Sequence, residues 1–241
     1  LVIYTYFEVY NRLKKNLFKI QDGIWFCLFL TLCNFSKPNF FLAFTPMVFF
    51  TLVYLLWKEK GKNFRQLFSF GCLILFSMPI LFYQIQIVYD ESEKSSIALS
   101  LECFRDYVFG IPGKFFVYEI SNLCFPIFVV IVLLILKYVK HQNIEFDRLV
   151  QGGLMFIIAH LQQLLMIDEG PRADSGNYAW GVYAVGMLLF MICISEWITV
   201  YKKNLLKNKC IFIIGLSIYF LHISCGIVYF IKLCQGYKYI I

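Results

Sequence analysis

The chain has 241 residues, of which 60% are hydrophobic and 15% charged. Soluble domains carry about 25% charged residues, and a chain of this size cannot hide so much apolar surface from water. Disordered segments are poor in apolar residues, so that class is excluded too. What remains is an integral membrane protein. The net charge of +7 does not point to a nucleic-acid partner. The 22 Lys and Arg fall in short clusters between apolar runs, the distribution that orients a membrane protein, and the partner expected is membrane lipid.

Residues 1–22 read as the cytoplasmic end of a preceding helix plus a juxtamembrane amphipathic segment. An aromatic, apolar start runs into Arg12, Lys14, Lys15 and Lys19, as in a helix that begins upstream, so the chain is expected to be the C-terminal part of a longer protein. Tyr6, Val9, Tyr10, Leu13, Leu17 and Ile20 share one helical face, with Lys14, Lys15 and Lys19 off it. Such a stripe suits the surface of anionic lipid, or equally a helix packed on its own protein.

Residues 23–241 read as an all-α transmembrane helical domain, a polytopic integral membrane protein of about seven helices. A span needs about 20 mostly apolar residues, and seven segments qualify: 23–36, 39–57, 67–89, 115–137, 149–167, 178–200 and 210–232. The first is short. Ser36-Lys37-Pro38-Asn39 separates it from the second, and Pro38 disfavours helical geometry at Lys37. So 23–57 is either two crossings joined by a tight turn or a re-entrant hairpin. Small residues such as Gly152-Gly153 and Gly181/Gly186 offer close helix packing.

Fifteen of the 22 basic residues collect in alternate loops, at 12–19, 58–65, 137–148 and 202–209. These loops are expected to be cytoplasmic. The outer loops are then 90–114, with Asp90, Glu91, Glu93, Glu102 and Asp106, and 168–177, with Asp168, Glu169 and Asp174. In the former, Leu99, Glu102, Cys103, Arg105, Asp106 and Val108 have the spacing of a short surface helix. Most of the nine cysteines lie inside apolar runs, where thiols act as small apolar groups. No metal-ligand spacing appears, and no HExxH, P-loop, Rossmann glycine pattern or GxSxG, so no cofactor is expected.

Candidate chemistry gathers on the outer side. The densest stretch is Asp168-Glu169-Gly170-Pro171-Arg172-Ala173-Asp174-Ser175-Gly176-Asn177, followed by Tyr178 and Trp180. Gly-Pro and Ser-Gly are turn signals. Arg172 offers a planar fork for phosphate or carboxylate. Glu169 suits a sugar hydroxyl or an internal pair with Arg172, and Trp180 suits stacking on a sugar or a place in the interfacial aromatic belt. His160 and Gln163, with Gln162 between them, precede this loop; they serve either interhelical hydrogen bonds or a cavity. Lys37 sits at a helix break where it can meet a lipid phosphate or snorkel to headgroups. Asn34-Phe35-Ser36 matches a glycosylation sequon but lies against the membrane edge.

Two stretches carry a resemblance. Phe35-Ser36-Lys37-Pro38-Asn39-Phe40-Phe41-Leu42-Ala43-Phe44-Thr45-Pro46 resembles a segment of bacterial multi-pass membrane glycosyltransferases of the GT-C type. Glu169-Gly170-Pro171-Arg172 with Gly176-Asn177-Tyr178-Ala179-Trp180-Gly181 is similar to an outer-loop pattern of related proteins. Together they cover about a tenth of the chain. The resemblance implies a polyprenyl-phosphate-linked sugar as donor on the outer face of the bacterial cytoplasmic membrane. It implies phosphate contact for Lys37 and Arg172, and sugar or acceptor contact for Glu169, Asp174 and Asn177. The family's catalytic acid lies in a first outer loop that would precede Leu1, so no residue here inherits it. A transporter or flippase and a non-enzymatic scaffold are the alternatives.

Overall fold

The computed structural model describes residues 1–36, 38–88, 96–101, 114–169, 177–205 and 209–234. The helices are α1 (Val2–Lys14), α2 (Ile20–Ser36), α3 (Pro38–Lys58), α4 (Phe64–Leu75), α5 (Met78–Val88), α6 (Lys114–Leu134, continued by a π-helical turn Ile135–Val139), α7 (Asp147–Leu165), α8 (Asn177–Lys202) and α9 (Lys209–Cys234). Strands β1 (Ser96–Leu99) and β2 (Met166–Glu169) form a small antiparallel pair. The chain is mostly helical, but this sheet departs from an all-helical reading, and β2 ends the predicted fifth segment at Leu165.

Four stretches are long and apolar enough to cross a bilayer: Pro38–Lys58, Phe64–Gln84, Gly181–Lys202 and Lys209–Val228. They coincide with the second, third, sixth and seventh predicted segments. Ile20–Ser36 and Leu123–Val139 are apolar but shorter. Helix α7 is not among the four. Gln151, His160, Gln162, Gln163 and two glycines dilute its apolar content.

The chain forms two compact units. The first comprises Leu1–Tyr107 and Val150–Val185. Its core is an aromatic cluster in which Tyr6, Phe26, Phe44 and Phe70 are 0–1% exposed. Tyr6 meets Phe44 edge-on at 5.1 Å and Phe26 at 6.0 Å. The N-terminal stripe therefore packs on protein. Tyr6, Val9, Tyr10 and Leu13 are buried, whereas Leu17 and Ile20, which follow the end of α1, are exposed. Of the glycines expected to support close packing, Gly181 faces Asn39 of α3, where an added Cβ would lie 3.5 Å from the Asn39 carbonyl oxygen, and Gly153 faces open space.

In the second unit, Val108–Leu149 and Gly186–Ile241, α9 packs on α6. Trp197 is buried and stacks on Phe212 with an interplanar angle of 2°. Phe128 meets the same indole at 5.5 Å, tilted by 60°. Phe125, Phe190 and Tyr219 form a further ring cluster, with His222 at 4.4 Å from Phe190. Elsewhere α9 presents Ile213, Ile214, Phe220, Leu221, Ile227 and Val228 outward, as a lipid-facing helix does.

The basic loops have a local cause. Helices α1, α3 and α8 each stop in a Schellman arrangement with a residue at positive φ: Asn16 (58°), Lys60 (50°) and Asn204 (51°). The paired bonds are Leu17 N–H to Arg12 O with Asn16 N–H to Leu13 O, Gly61 N–H to Leu56 O with Lys60 N–H to Trp57 O, and Leu205 N–H to Val200 O with Asn204 N–H to Tyr201 O. Lysines cluster where these helices expose their last carbonyls, the negative end of the helix dipole. The clusters at 12–19 and 58–65 also share one end of the first unit. Asn63 donates to Leu13 O at 3.2 Å and Gln66 to Asn16 O at 3.4 Å, while Arg12 pairs with Asp22 at 2.6 Å.

Candidate functional site at the loop end of the first unit

The opposite end of this unit is where the candidate chemistry assembles. Strand β1 comes from the predicted loop 90–114, and β2 leads into the predicted loop 168–177. Their register pairs Ser96 with Glu169, Ile97 with Asp168, Ala98 with Ile167 and Leu99 with Met166. Ser100 N–H then bonds to Leu165 O at 2.9 Å, closing the strand pair onto the end of α7. A strand from each of the two predicted loops is thus hydrogen-bonded to the other. Gln84 of α5 donates to Phe35 O at 3.2 Å, and Gly181 near the start of α8 meets Asn39. The end of α2, the start of α3, the end of α5, the sheet and the first turns of α8 therefore share this end.

Among the predicted site residues, Glu169 is the last residue of β2, and Asn177 and Trp180 lie in the first turn of α8; their side chains are outside the described residues. Lys37, Arg172 and Asp174 are outside the described residues altogether, as is the predicted surface helix beyond Leu101. Leu99, assigned to that helix, is in β1.

His160 and Gln163 are placed. The His160 Nδ1 lies 3.2 Å from Phe156 O one turn back, and its ring packs on Phe156 with centroids 4.3 Å apart. Gln163 Oε1 is buried and accepts no hydrogen bond among the described residues, so it can take one from a ligand hydroxyl or a water. Gln162 has a different task. Its Nε2 donates to Leu42 O at 2.8 Å. In an unbroken helix that carbonyl would accept from the residue four positions on, but here that residue is Pro46, which has no N–H.

A second helix irregularity lies lower in the unit. The span Phe64–Gln84 is interrupted at Phe76 and Ser77, just before Pro79. Asn34, fully buried on α2, donates to Ser77 O at 3.3 Å. The Ser77 hydroxyl turns back to Ile74 O at 2.6 Å, and Cys27 donates to Leu73 O at 2.9 Å. Side chains thus satisfy part of the backbone at the break, as an apolar medium demands. The Asn34 carbonyl oxygen accepts no bond among the described residues. Its burial also removes the Asn34 sequon as a glycan acceptor.

No cluster of three or more His, Cys, Asp or Glu able to hold a metal occurs among the described residues. Glu196, a polar residue in a long apolar helix, sits in the field of Arg148, Lys203 and Glu145 within the second unit. No family model, no curated protein and no solved structure matches this chain.

Proposed function

We propose that the chain is the membrane-embedded part of a GT-C-type glycosyltransferase that handles lipid-linked sugars on the outer face of the bacterial cytoplasmic membrane. The observation that carries this reading is the β1–β2 pairing, which joins a strand from each of the two predicted outer loops. In this reading the chain crosses the bilayer seven times, with the strand pair outward and the Schellman-capped lysine ends inward. Arg172 and Lys37 neutralise a polyprenyl phosphate. Glu169, Asp174, Asn177 and Gln163 face the sugar or its acceptor, with Trp180 as a stacking surface and His160 lining the approach. Inversion at the sugar requires a carboxylate base and cationic stabilisation of the leaving phosphate. Replacing Arg172 and Glu169 with Ala in the full-length protein is expected to abolish glycolipid turnover with expression retained. Unchanged turnover would reject their role.

A transporter or flippase is the second reading. It is favoured by the interrupted span at Phe76–Ser77, since discontinuous helices commonly frame transport sites. Solute uptake into proteoliposomes without glycolipid turnover would select it over the first.

A further inference from the structure

The bond between Gln162 and Leu42 joins residues 120 positions apart, and it exists at the one carbonyl of α3 that Pro46 deprives of its helical donor. We infer that Gln162 is a positioning residue: by capping the proline break in α3 it fixes the outer end of α7, and through it the strand pair, against α3. This holds whichever ligand the outer end takes.

Three observations meet here. First, the carbonyl needs a donor. A buried backbone oxygen without one is costly, and more so in lipid, where no water can replace the missing partner. Second, the donor is well placed. Neighbouring Ala159 and Phe156 of α7 are buried, as are Phe41, Ala43 and Phe44 around Leu42, and the bond itself is half-buried. Third, α7 runs directly into β2 at Met166, and Ser100 bonds back to Leu165. A shift of the α7 terminus therefore acts on the strand pair through Leu165 and Met166. The adjacent amides divide the work: Gln162 secures the helix, while the oxygen of Gln163 is left open.

The chemistry provides its own rescue. Leu at 162 removes the donor. Ala at 46 restores an N–H that can reach Leu42 O within α3. The readout is the strand pair, followed as disulfide formation between Ala98→Cys and Ile167→Cys, which are register partners. The protein is the full chain in lipid nanodiscs under mild oxidant, with the bridged peptide identified by mass. Gln162→Leu is expected to lower bridging about fivefold, the lower end of the equilibrium cost of an unpaired carbonyl, since this one is half-buried. The Pro46→Ala/Gln162→Leu pair is expected to return it to near the parent level. If Gln162→Leu bridges like the parent, or the double variant bridges no better than Gln162→Leu, the inference fails. Should Gln162→Leu not accumulate, recovery of folded protein in the double variant supports the capping role, and loss of both overturns it.

Discussion

Gly215 of α9 is the point at which the second unit is most sensitive to a single atom. A methyl group there would lie 2.8 Å from Trp197 Cε2 and 2.8 Å from Phe128 Cε1, with Trp197 Cζ2 closer still. Ordinary contact begins near 3.4 Å, so the ring atoms would have to retreat by several tenths of an ångström. Neither ring can fold away at a flexible end. Trp197 is already pinned by its stack on Phe212, and Phe128 packs on the same indole. Relief therefore needs α9 to move off α8. Overpacking of this kind costs about 1–3 kcal/mol, offset by at most about 1 kcal/mol from replacing a helical glycine with alanine. Gly215→Ala is thus expected to destabilise by roughly 1–2 kcal/mol. The assay is reversible unfolding in mixed micelles, followed by tryptophan emission and helical circular dichroism. Trp197→Phe in the same background should recover much of the loss by vacating the space. The Trp197 indole N–H has no partner among the described residues, so that exchange sacrifices no bond. If Gly215→Ala is as stable as the parent, the packing account of this unit is wrong.

Asn34→Ala would leave Ser77 O without its buried donor and is expected to cost about 1–3 kcal/mol; unfolding in micelles checks it, and an unchanged midpoint would refute the bridge across the α4–α5 break. Tyr6 gives a pH signature. Burial raises its phenol above the ordinary value near 10, with the Thr51 hydroxyl acting in the opposite, smaller sense. The folded state therefore holds the proton more tightly than the unfolded state, so the Tyr6 contribution is complete below pH ~10 and is lost as pH rises further. Tyr6→Phe should narrow the fall in stability above that pH relative to the parent, and parallel pH curves would contradict the burial of this ring.

Much of this fold is legible in the sequence because two physical signals are local. The apolar runs at 39–57, 67–89, 178–200 and 210–232 announce themselves by length, and the lysine clusters mark helix ends whose carbonyls they neutralise. The face formed by Tyr6, Val9, Tyr10 and Leu13 is equally visible. Whether lipid or protein covers it is not, because periodicity reports only that one side is apolar; Phe26 and Phe44, which cover it, lie on other helices. The strand pair escapes notice for a related reason. Four residues at Ser96–Leu99 carry too little alternation to stand out, and Met166–Ile167 look like the tail of a span. Gln162 is visible as a polar residue in an apolar segment, and Pro46 as a helix breaker. Only the fold reveals that one answers the other. At the site, Gln163 is identifiable in advance, but the buried roles of Asn34 and Ser77 depend on a break that Pro79 merely hints at.

The central claim is that the strand pair and the lysine-capped helix ends lie on opposite sides of a membrane. It is tested most directly by membrane-impermeant thiol labelling of intact cells carrying Leu101→Cys or Lys203→Cys, both exposed positions, with each labelled peptide mapped by mass against the native cysteines. Labelling at 101 without permeabilisation, and at 203 only after it, is the predicted result. Labelling at 203 in intact cells with 101 silent would reverse the sides, and labelling at both would remove the membrane from between them.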